Sequence, residues 1–591
     1  MNYNLKFNLK NITVLACAVL ALTGCTNLDE KVLDEVLVSD GGSNAPGALA
    51  AAYSRLGEGT FVDNGGMFAM QEYTTDIALL PTRGSDWGDG GKWRAMHEFS
   101  WTSTSPVVSS NWSNLTDGIT RSLTAIKAID ESEIADKDLL LAEAKGLLAF
   151  YTYQVLDLFG QAPYRDPMDT NAPIQILYAE TAIDDLILQV EALLPNLASL
   201  GEQSTHNGRF TREAAYAMLA EMYLNRAVYK DRYNAGSGFN FNETAVGGNG
   251  TDMDKVIYYS NQIINSGKFQ LATNFFDNFS INNSGGSELI FVVVQKIDNI
   301  HNGDNDMGYM CVARNQRPSP SNRGTNGSCT TPEFFNSWEG NHDDPRFSRK
   351  YQYGDGTWFM NDGTTASVPA SDIVPNSDNL PWFHFNSGLL YGQQYGPKLT
   401  SGGGFEMTND GRIKVSQLFM EKSAGTAMVF TPELDFDNPS QAVLAQDQIN
   451  RGVRIFKFEY DPEGGNGASK VDIPLYRLGY IYLMRAEASL RKGETAAALA
   501  DINMLRTSRT REALYGSTPG AAISSIDADT FHKEWGFEMY WEMHRRPEMI
   551  RFGKFDLPYT AKPATEPYKR VFPIPQATID VTKEITQNMG Y

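Results

Sequence analysis

Apolar residues at helical spacing near both ends of the chain constrain its fold more than any other feature. One stripe advances in steps of four and three residues: Leu140, Ala144, Leu147, Tyr151, Val155 and Leu158. This spacing places one apolar face along a helix, which Gly160 and Pro163 should end. Similar patterns predict helices over about Thr211–Tyr229 and over Asp252–Ile264. The chain is therefore predicted to be mainly α.

A stretch from Tyr482 to Arg506 predicts how two helices pack together. Four residues in this stretch have the spacing of a tetratricopeptide repeat. They are a small residue (Ala486), a turn glycine (Gly493), a second small residue (Ala498) and a bulky contact residue (Ile502). Small side chains at these offsets let antiparallel helices approach closely. Two further helix pairs are expected near residues 136–199 and 209–265, and one more helix over Phe531–Met549. Together they predict a layer of tetratricopeptide-like helix pairs.

The middle of the chain, about residues 280–470, is of a different kind. It is rich in Gly, Asn, Asp and Pro, and it contains short strand-like runs at Glu288–Gln295 and Arg451–Tyr460. A loop-rich insert of this length on a rigid helical scaffold commonly serves function. No Pro/Ser linker divides the chain, so we expect one body with a helical back, a large loop-rich face and a few short strands.

The first 25 residues predict export and lipidation. Lys6 and Lys10 precede the apolar run Ile12–Leu22, which is too short to span a bilayer and is typical of a secretory signal. Cys25 follows directly after Thr-Gly, as the lipidated cysteine does in a bacterial lipobox. We therefore predict a signal peptide at 1–24 and a mature body at 25–591, anchored through Cys25; the alternative is an ordinary signal peptide with an incidental cysteine.

The net charge restricts the class of ligand, and the cysteine content restricts the possible disulfides. The net charge is −21, and removal of Lys6 and Lys10 with the signal would make it −23. Such a surface repels nucleic acid and anionic lipid, so a neutral or cationic ligand is favoured. With Cys17 in the signal, only Cys311 and Cys329 remain, and an exported protein could hold them as a disulfide or as two buried thiols.

Catalytic and metal-binding signatures are scarce in the sequence. No G-x-S-x-G elbow is present, and Gly90-Gly91-Lys92 is followed by Trp93 rather than the Ser or Thr of a P-loop. The seven histidines are scattered without zinc-ligand spacing. A carboxylate pair for glycoside hydrolysis could still form in space, although most carboxylates on an acidic protein are solvated. We expect no catalytic residue, no metal and no cofactor.

The most distinctive loop is the segment 81–91, in which four glycines surround Trp87. An indole face can stack on the C–H face of a sugar, while charged side chains hydrogen-bond its hydroxyls. We therefore predict ligand contacts by Trp87, Arg83, Asp86 and Asp89. The alternative is that Trp87 packs beneath its own loop. Trp93 and Trp101 are expected in the core, and the remaining loop aromatics, including Tyr309, are weaker candidates for the site.

Five blocks in order resemble the SusD-like (RagB) nutrient-binding lipoproteins of the Bacteroidetes outer membrane, over essentially the whole chain. The blocks are Glu143–Tyr164, Phe210–Tyr229, Asp472–Ala488, Glu534–Gly553 and Pro573–Tyr591. The resemblance implies a superhelix of four tetratricopeptide-like helix pairs that carries a loop-rich ligand face. It also implies a lipid-anchored protein on the outside of the outer membrane, which captures oligosaccharide as the lid of a SusC-like TonB-dependent transporter.

Within that family the arrangement is similar to the starch-binding members. In these, a loop shortly after a Thr-Asp pair bears a sugar-stacking Trp, and here Thr75-Asp76 precedes Trp87. Tyr309 is assigned to another binding position of the family. A second family aromatic would fall near residues 326–328, where this chain has Asn-Gly-Ser. This departure from the family pattern leaves the identity of the glycan open: it could be another glucan or an unrelated glycan.

Two other functions remain as alternatives. The same fold could take peptides as the lid of a RagA-like transporter, which bound peptides in a purified complex would indicate. A surface glycosidase is the third hypothesis, and release of reducing ends from a polysaccharide would identify it.

Overall fold

Helices form on both sides of the loop-rich insert in the structure, a computed structural model. It describes residues 44–83, 86–169, 171–235, 238–297, 305–370, 381–421, 425–434, 451–464 and 467–591. The predicted signal peptide and Cys25 lie outside these residues. Within the described ranges, no helix combines the length and the apolar character needed to span a bilayer.

All but one of the α-helices in the described ranges lie outside the insert at residues 280–470. The α-helices are α1 (Ala45–Ser54), α2 (Met67–Gln71), α3 (Lys92–His97), α4 (Pro106–Asp130), α5 (Lys137–Phe159), α6 (Ala179–Leu193), α7 (Arg212–Lys230), α8 (Asp252–Ile264), α9 (Pro332–Ser337), α10 (Leu478–Arg491), α11 (Thr495–Ser508), α12 (Ala528–Met539), α13 (Arg545–Arg551) and α14 (Gln576–Val581). Short 3₁₀ turns are Asp89–Gly91, Glu202–Ser204, Phe275–Phe279, Ala513–Tyr515 and Pro567–Arg570.

The strands are short and pair antiparallel. They are β1 (Ala78–Leu79), β2 (Gln161–Tyr164), β3 (Gln175–Tyr178), β4 (Leu289–Val293), β5 (Cys329–Thr330), β6 (Ser348–Arg349), β7 (Tyr351–Gln352), β8 (Trp358–Phe359), β9 (Ser367–Pro369), β10 (Ser387–Leu390), β11 (Gly392–Gln393), β12 (Tyr395–Pro397), β13 (Arg412–Gln417), β14 (Val429–Phe430), β15 (Arg454–Phe456) and β16 (Ile473–Arg477). The ladders are β1-β5, β2-β3, β4-β16, β7-β8, β11-β14, β6-β10-β15 and β9-β13-β12. The mainly α fold with a few short strands is confirmed.

Helices that are near one another in sequence also pack against one another. Helix α4 packs on α5, α6 on α7, α7 on α8, and α10 on both α8 and α11. At Gly118 of α4, a Cβ would lie 2.4 Å from the Tyr151 ring of α5, so these helices approach too closely for any other residue. Helix α4 was not identified from the sequence and is the main partner of α5; helix α5 also packs on α6, as expected for the helix pair within 136–199.

The helix pair predicted at Tyr482–Arg506 is present as α10 and α11. Gly493 lies between them with φ +79°, a left-handed conformation that favours glycine. Ala486 and Ala498 are completely buried where the two helices meet. The small-residue pattern therefore predicted both the turn and the close packing.

The single helix expected over Phe531–Met549 is wrong, because the structure divides it into α12 and α13. Between them Trp541 and Met543 have φ values of 64° and 65°. The Trp541 ring is buried with its edge against Phe68 at 5.1 Å, and the Met543 amide donates to Glu72 Oε1 at 2.7 Å. These tertiary contacts with the N-terminal part outweigh the local helical preference.

A buried ion network joins the helical layer to the insert. Arg477 Nη1 lies 2.8 Å from Glu288 and 2.6 Å from Glu538. Its Nε lies 2.6 Å from Glu542, and Arg509 contacts Glu288 and Glu538 at 2.7 and 2.9 Å. All five side chains are at most 1% exposed. Removing one member would leave buried charges unpaired, which is strongly destabilising.

The insert has its own small core. The strand-like runs at 288–295 and 451–460 contain the shorter strands β4 and β15, and β4 pairs with β16 next to α10. A second apolar cluster lies within the insert and includes Phe359, Val368, Trp382, Phe383, Ile413 and Phe430. The insert is thus a set of small sheets around a separate core, which can hold loops at fixed positions.

Cys311 and Cys329 are free, buried thiols in the structure. Cys311 Sγ donates to the Ser328 carbonyl at 3.3 Å, and burial raises the pKa of its thiol. Of the two possibilities left open by the sequence, the structure therefore has two buried thiols.

Candidate functional site

The loop 81–91 is fixed at both ends by its own backbone. Arg83 and Asp86 exchange two main-chain hydrogen bonds of 2.9 and 3.0 Å. After Trp87 the chain makes one 3₁₀ turn, in which Gly90 and Gly91 have φ values of 66° and 81°. Glycine tolerates this conformation at little cost, so α3 can begin at once and Trp87 is held just before it.

Trp87 lies half-buried at the surface of this loop. Its φ of 59° is unusual for a large side chain. Its Nε1 donates to the Thr325 carbonyl at 2.8 Å, and its ring meets Trp93 edge-on at 6.1 Å and 67°. The indole is therefore immobilised against the protein while part of it remains exposed, which differs from the alternative of a plug beneath its own loop.

A shallow, open groove of about 500 Å³ runs past Trp87. Four of the five predicted ligand-binding residues line it together: Asp86, Trp87, Asp89 and Tyr309. Tyr309 reaches the groove from the insert, more than 200 positions away in sequence. The fold thus brings the two sequence-distant aromatic candidates to one surface.

Tyr309 is held in place by its neighbours. Its ring meets Tyr460 edge-on at 6.2 Å, and its amide donates to the Asp306 carbonyl at 2.9 Å. Partial burial raises the pKa of Tyr309, so its hydroxyl stays protonated near neutral pH and can both donate and accept hydrogen bonds. Tyr309 and Trp87 give the groove two half-exposed aromatic side chains.

Both arginines that line the groove are paired with carboxylates. Arg314 holds Asp86 with both ends of its guanidinium, at 2.8 and 2.6 Å. Arg323 pairs with Glu421, and Arg314 Nε lies 3.8 Å from the same carboxylate. Two arginines and two aspartates line the groove, so these lining charges cancel although the whole chain carries −21.

Asp89 is exposed and helps to position the aromatic residues. Its Oδ2 accepts a hydrogen bond from Trp93 Nε1 at 2.7 Å. Trp93 in turn carries the Lys92 ammonium 4.4 Å from its ring centre. Trp93 is 5% exposed and Trp101 2%, so both are core residues, as predicted from the sequence.

Arg83 does not reach the groove, in contrast to the sequence-based expectation. Its side chain has no exposed surface. Its Nε donates to the Gly327 carbonyl at 2.8 Å, and its Nη1 donates to the Arg451 carbonyl at 2.8 Å. A ligand in the groove cannot touch a guanidinium in this position. Arg83 instead ties the Trp87 loop to two segments of the insert.

The absence of an aromatic residue near 326–328 has a steric reason. A Cβ at Gly327 would lie 2.6 Å from the Met310 carbonyl oxygen and 3.2 Å from the Trp87 ring. At Gly324 a Cβ would lie 2.3 Å from the Val312 carbonyl oxygen. The chain therefore has no room for a second tryptophan at Gly327, because Trp87 packs against that glycine.

The sequence analysis missed part of the groove. Residues of the segment 314–325 line it and were not predicted: Arg314, Ser321, Arg323, Gly324 and Thr325. The available signal was the Arg-, Ser- and Pro-rich composition of this segment soon after Tyr309. Within the described ranges, no group of three His, Cys, Asp or Glu side chains is placed to hold a metal ion.

Comparison with known proteins gives a family match. The model of the SusD family matches residues 287–591. The starch-binding protein SusD of Bacteroides thetaiotaomicron is 24% identical over 476 residues, which cover 76% of this chain and 72% of that protein. The sequence match thus extends well beyond the matched family segment.

Solved structures show the same fold over nearly the whole length. Surface glycan-binding protein A from Bacteroides uniformis aligns with a TM-score of 0.59 and 15% identity, covering 92% of this chain and 98% of that one. Surface glycan-binding protein A from Bacteroides thetaiotaomicron, solved in complex with laminarihexaose, aligns with a TM-score of 0.56 and 16% identity, over 92% and 98%. At such identities the likeness concerns the fold alone.

Proposed function

This chain belongs to the SusD family, and from that premise we propose that it is a cell-surface protein that binds an oligosaccharide without transforming it. The observation that carries the proposal is the groove in which Trp87 and Tyr309 lie half-exposed beside paired charges. The matched relatives are described as binding starch or laminarihexaose, which supports a glycan as the ligand class.

The chemistry of the groove suits a neutral polyol. An aromatic ring stacks on the apolar C–H face of a sugar, and this contact needs a ring that is fixed but not covered. Trp87 meets that condition because its Nε1 is bonded to Thr325 while its ring borders the groove. Paired carboxylate and guanidinium groups offer hydrogen bonds to hydroxyls without presenting a net charge.

The same groove is poorly arranged for hydrolysis. Glycosidases use two carboxyl groups, one of which must donate a proton. Both oxygens of Asp86 are occupied by Arg314, and Asp89 Oδ2 is occupied by the Trp93 indole. We therefore propose a binding role with no catalytic residue and no cofactor, in preference to a surface glycosidase.

The proposal also includes attachment to the membrane and a transporter as partner. The lipobox-like Cys25 would anchor the mature chain in the outer membrane, facing the exterior. A SusC-like TonB-dependent transporter would receive the ligand, with this protein as its lid. The family membership supports this arrangement, and co-purification of a transporter with the native lipoprotein would test it.

Binding of a glycan panel by isothermal titration calorimetry tests the central claim. The panel should include neutral α- and β-glucan oligosaccharides, because the glycan is left open by the missing second tryptophan. Truncation of a central aromatic contact costs about 2 kcal/mol or more, which corresponds to a loss of affinity of about thirtyfold. Trp87→Ala should therefore weaken or abolish binding of whichever glycan the native protein takes.

A matched control is available in the insert. Trp358 is also half-buried, but it lies on β8 and does not line the groove. Trp358→Ala should leave glycan affinity within about twofold of the native protein. Failure of every glycan to bind would refute the proposal. Peptides bound to the purified native complex would favour the RagA-like alternative, and new reducing ends would favour an enzyme.

A further inference from the structure

On the side of its two arginines, the Trp87 groove is bordered by residues 417–421 of the insert. Arg323 pairs with Glu421, and Arg314 Nε lies 3.8 Å from the same carboxylate. Both arginines line the groove, whereas Glu421 and the rest of this segment do not. The surface of the segment therefore adjoins the groove without belonging to it.

The backbone fixes where Phe419 lies in this segment. Phe419 and Ala427 form an antiparallel bridge, flanked by two main-chain hydrogen bonds of 2.9 Å. In a pair of this kind the Phe419 carbonyl points away from the partner strand, and it accepts a hydrogen bond from Asn315 Nδ2 at 2.5 Å. Because Asn315 directly follows Arg314, the segment lies beside the chain that lines the groove.

Side chains of this segment alternate between the core and the surface. Leu418 and Met420 are 6% and 4% exposed, whereas Phe419 is 43% exposed and Gln417 is also exposed. Successive side chains of an extended chain point to opposite faces, so Phe419 shares a face with Gln417 and Glu421. Glu421 reaches the groove arginines from that face. Phe419 therefore lies on the surface next to the groove, about 7 Å along the chain from Glu421.

Phe419 is the most exposed phenylalanine that the structure describes. Directly opposed residues of a strand pair lie on one face, and the residue opposite Phe419 is Ala427, whose single methyl group is too small to cover the ring. Two side-chain amides lie on the same face, since Gln417 Nε2 donates to Gln393 Oε1 at 2.8 Å. A flat ring beside amides, which both donate and accept hydrogen bonds, suits a sugar.

We propose that Phe419 forms a further sugar subsite, which extends the groove along a longer glycan chain. One sugar unit would stack on the Phe419 ring with its hydroxyls near Gln417, and the chain would continue past Glu421 to Trp87. This inference rests on the proposed function and narrows the ligand to oligosaccharides long enough to reach both aromatic rings. Continuity with the groove and the neighbouring amides favour a saccharide over a protein partner on this surface.

Calorimetric titration of two chain lengths tests the subsite. The probes are the trimers and hexamers of two neutral series, malto-oligosaccharides and laminari-oligosaccharides. In the series that binds, the native protein should bind the hexamer about tenfold more tightly than the trimer. Phe419→Ala should weaken hexamer binding about tenfold and trimer binding less than about twofold. Phe419→Tyr keeps the ring and should retain the hexamer affinity.

Tyr258→Ala is the matched control. Tyr258 is 53% exposed on helix α8 and does not line the groove, so its loss should leave both affinities within about twofold. Thermal unfolding of both alanine variants should match that of the native protein, because each removes an exposed ring.

The possible failures are distinguishable. If Phe419→Ala left hexamer binding unchanged, or weakened both lengths equally, the subsite would be refuted while the Trp87 groove kept its role. Loss of a co-purified transporter from Phe419→Ala with unchanged hexamer affinity would assign this surface to a protein partner and would also overturn the inference. If neither series bound to the native protein, the proposed function would fail and the subsite with it.

Discussion

Replacing the buried Arg83 by methionine tests whether this residue stabilises the fold or contacts the ligand. The guanidinium donates to the Gly327 and Arg451 carbonyls at 2.8 Å each. A hydrogen bond from an ionised donor contributes about 1.5–3 kcal/mol. Loss of both would cost about 3–6 kcal/mol, and relief from burying the cation would offset part of this. We expect a net loss of about 2–4 kcal/mol in the free energy of unfolding.

The size of the protein determines how large the thermal shift will be. The unfolding entropy is about 2.1 cal/mol/K per residue. For a body of about 550 residues, each kcal/mol lost from the free energy of unfolding therefore lowers Tm by roughly 1 °C. Arg83→Met should therefore lower Tm by about 2–4 °C in differential scanning calorimetry. Glycan affinity should also fall, because the Trp87 loop loses its connection to the insert.

Arg323→Met is the contrasting variant. Arg323 lines the groove and its side chain is 52% exposed, so its loss should change ligand affinity while Tm stays within about 1 °C. The reasoning would be refuted if Arg83→Met left Tm unchanged and yet abolished binding. That outcome would mean that Arg83 contacts the ligand directly, as the loop composition alone suggested.

Three further substitutions test other parts of the structure. Gly327→Ala places a Cβ 2.6 Å from a backbone oxygen and 3.2 Å from Trp87, so it should lower stability by about 1–3 kcal/mol and weaken glycan binding; unchanged affinity by calorimetry would contradict this. Arg477→Met leaves the Glu538 carboxylate with one fewer buried partner, and urea unfolding should show a loss of about 3–5 kcal/mol. Burial raises the pKa of Glu72 from 4.5 to about 8, so the folded state binds this proton more tightly than the unfolded state does. The free energy of unfolding should therefore fall as the pH rises from about 4.5 to about 8, by at most about 1.4 kcal/mol per pH unit. Glu72→Gln should flatten that part of the Tm–pH profile, and an unaltered profile would contradict the assignment.

Local sequence patterns predicted the scaffold well because a helix buries residues at a fixed period. The stripe that begins at Leu140 became α5, and Gly160 ends it with φ 69°. The pair α10 and α11 follows from small residues and one glycine within 25 positions. In each case the information needed lies within a few turns of chain.

The same reasoning found much of the groove but not its assembly. Glycines around Trp87 indicated a loop that could expose an aromatic ring, and the structure holds that ring half-buried. Nothing local to residues 81–91 shows that Thr325 accepts the indole N–H or that Arg314 clamps Asp86. These contacts join segments more than 200 residues apart.

By itself, the sequence determined the helical class, the close helix pair and the position of the exposed-aromatic loop. Periodicity and glycine placement act through neighbouring residues, so they can be read along the chain. Only the tertiary structure decided that Arg83 is buried, that Trp541 interrupts a helix and that Arg314 joins the groove. Burial and pairing depend on which distant surfaces meet, and no local pattern carries that information.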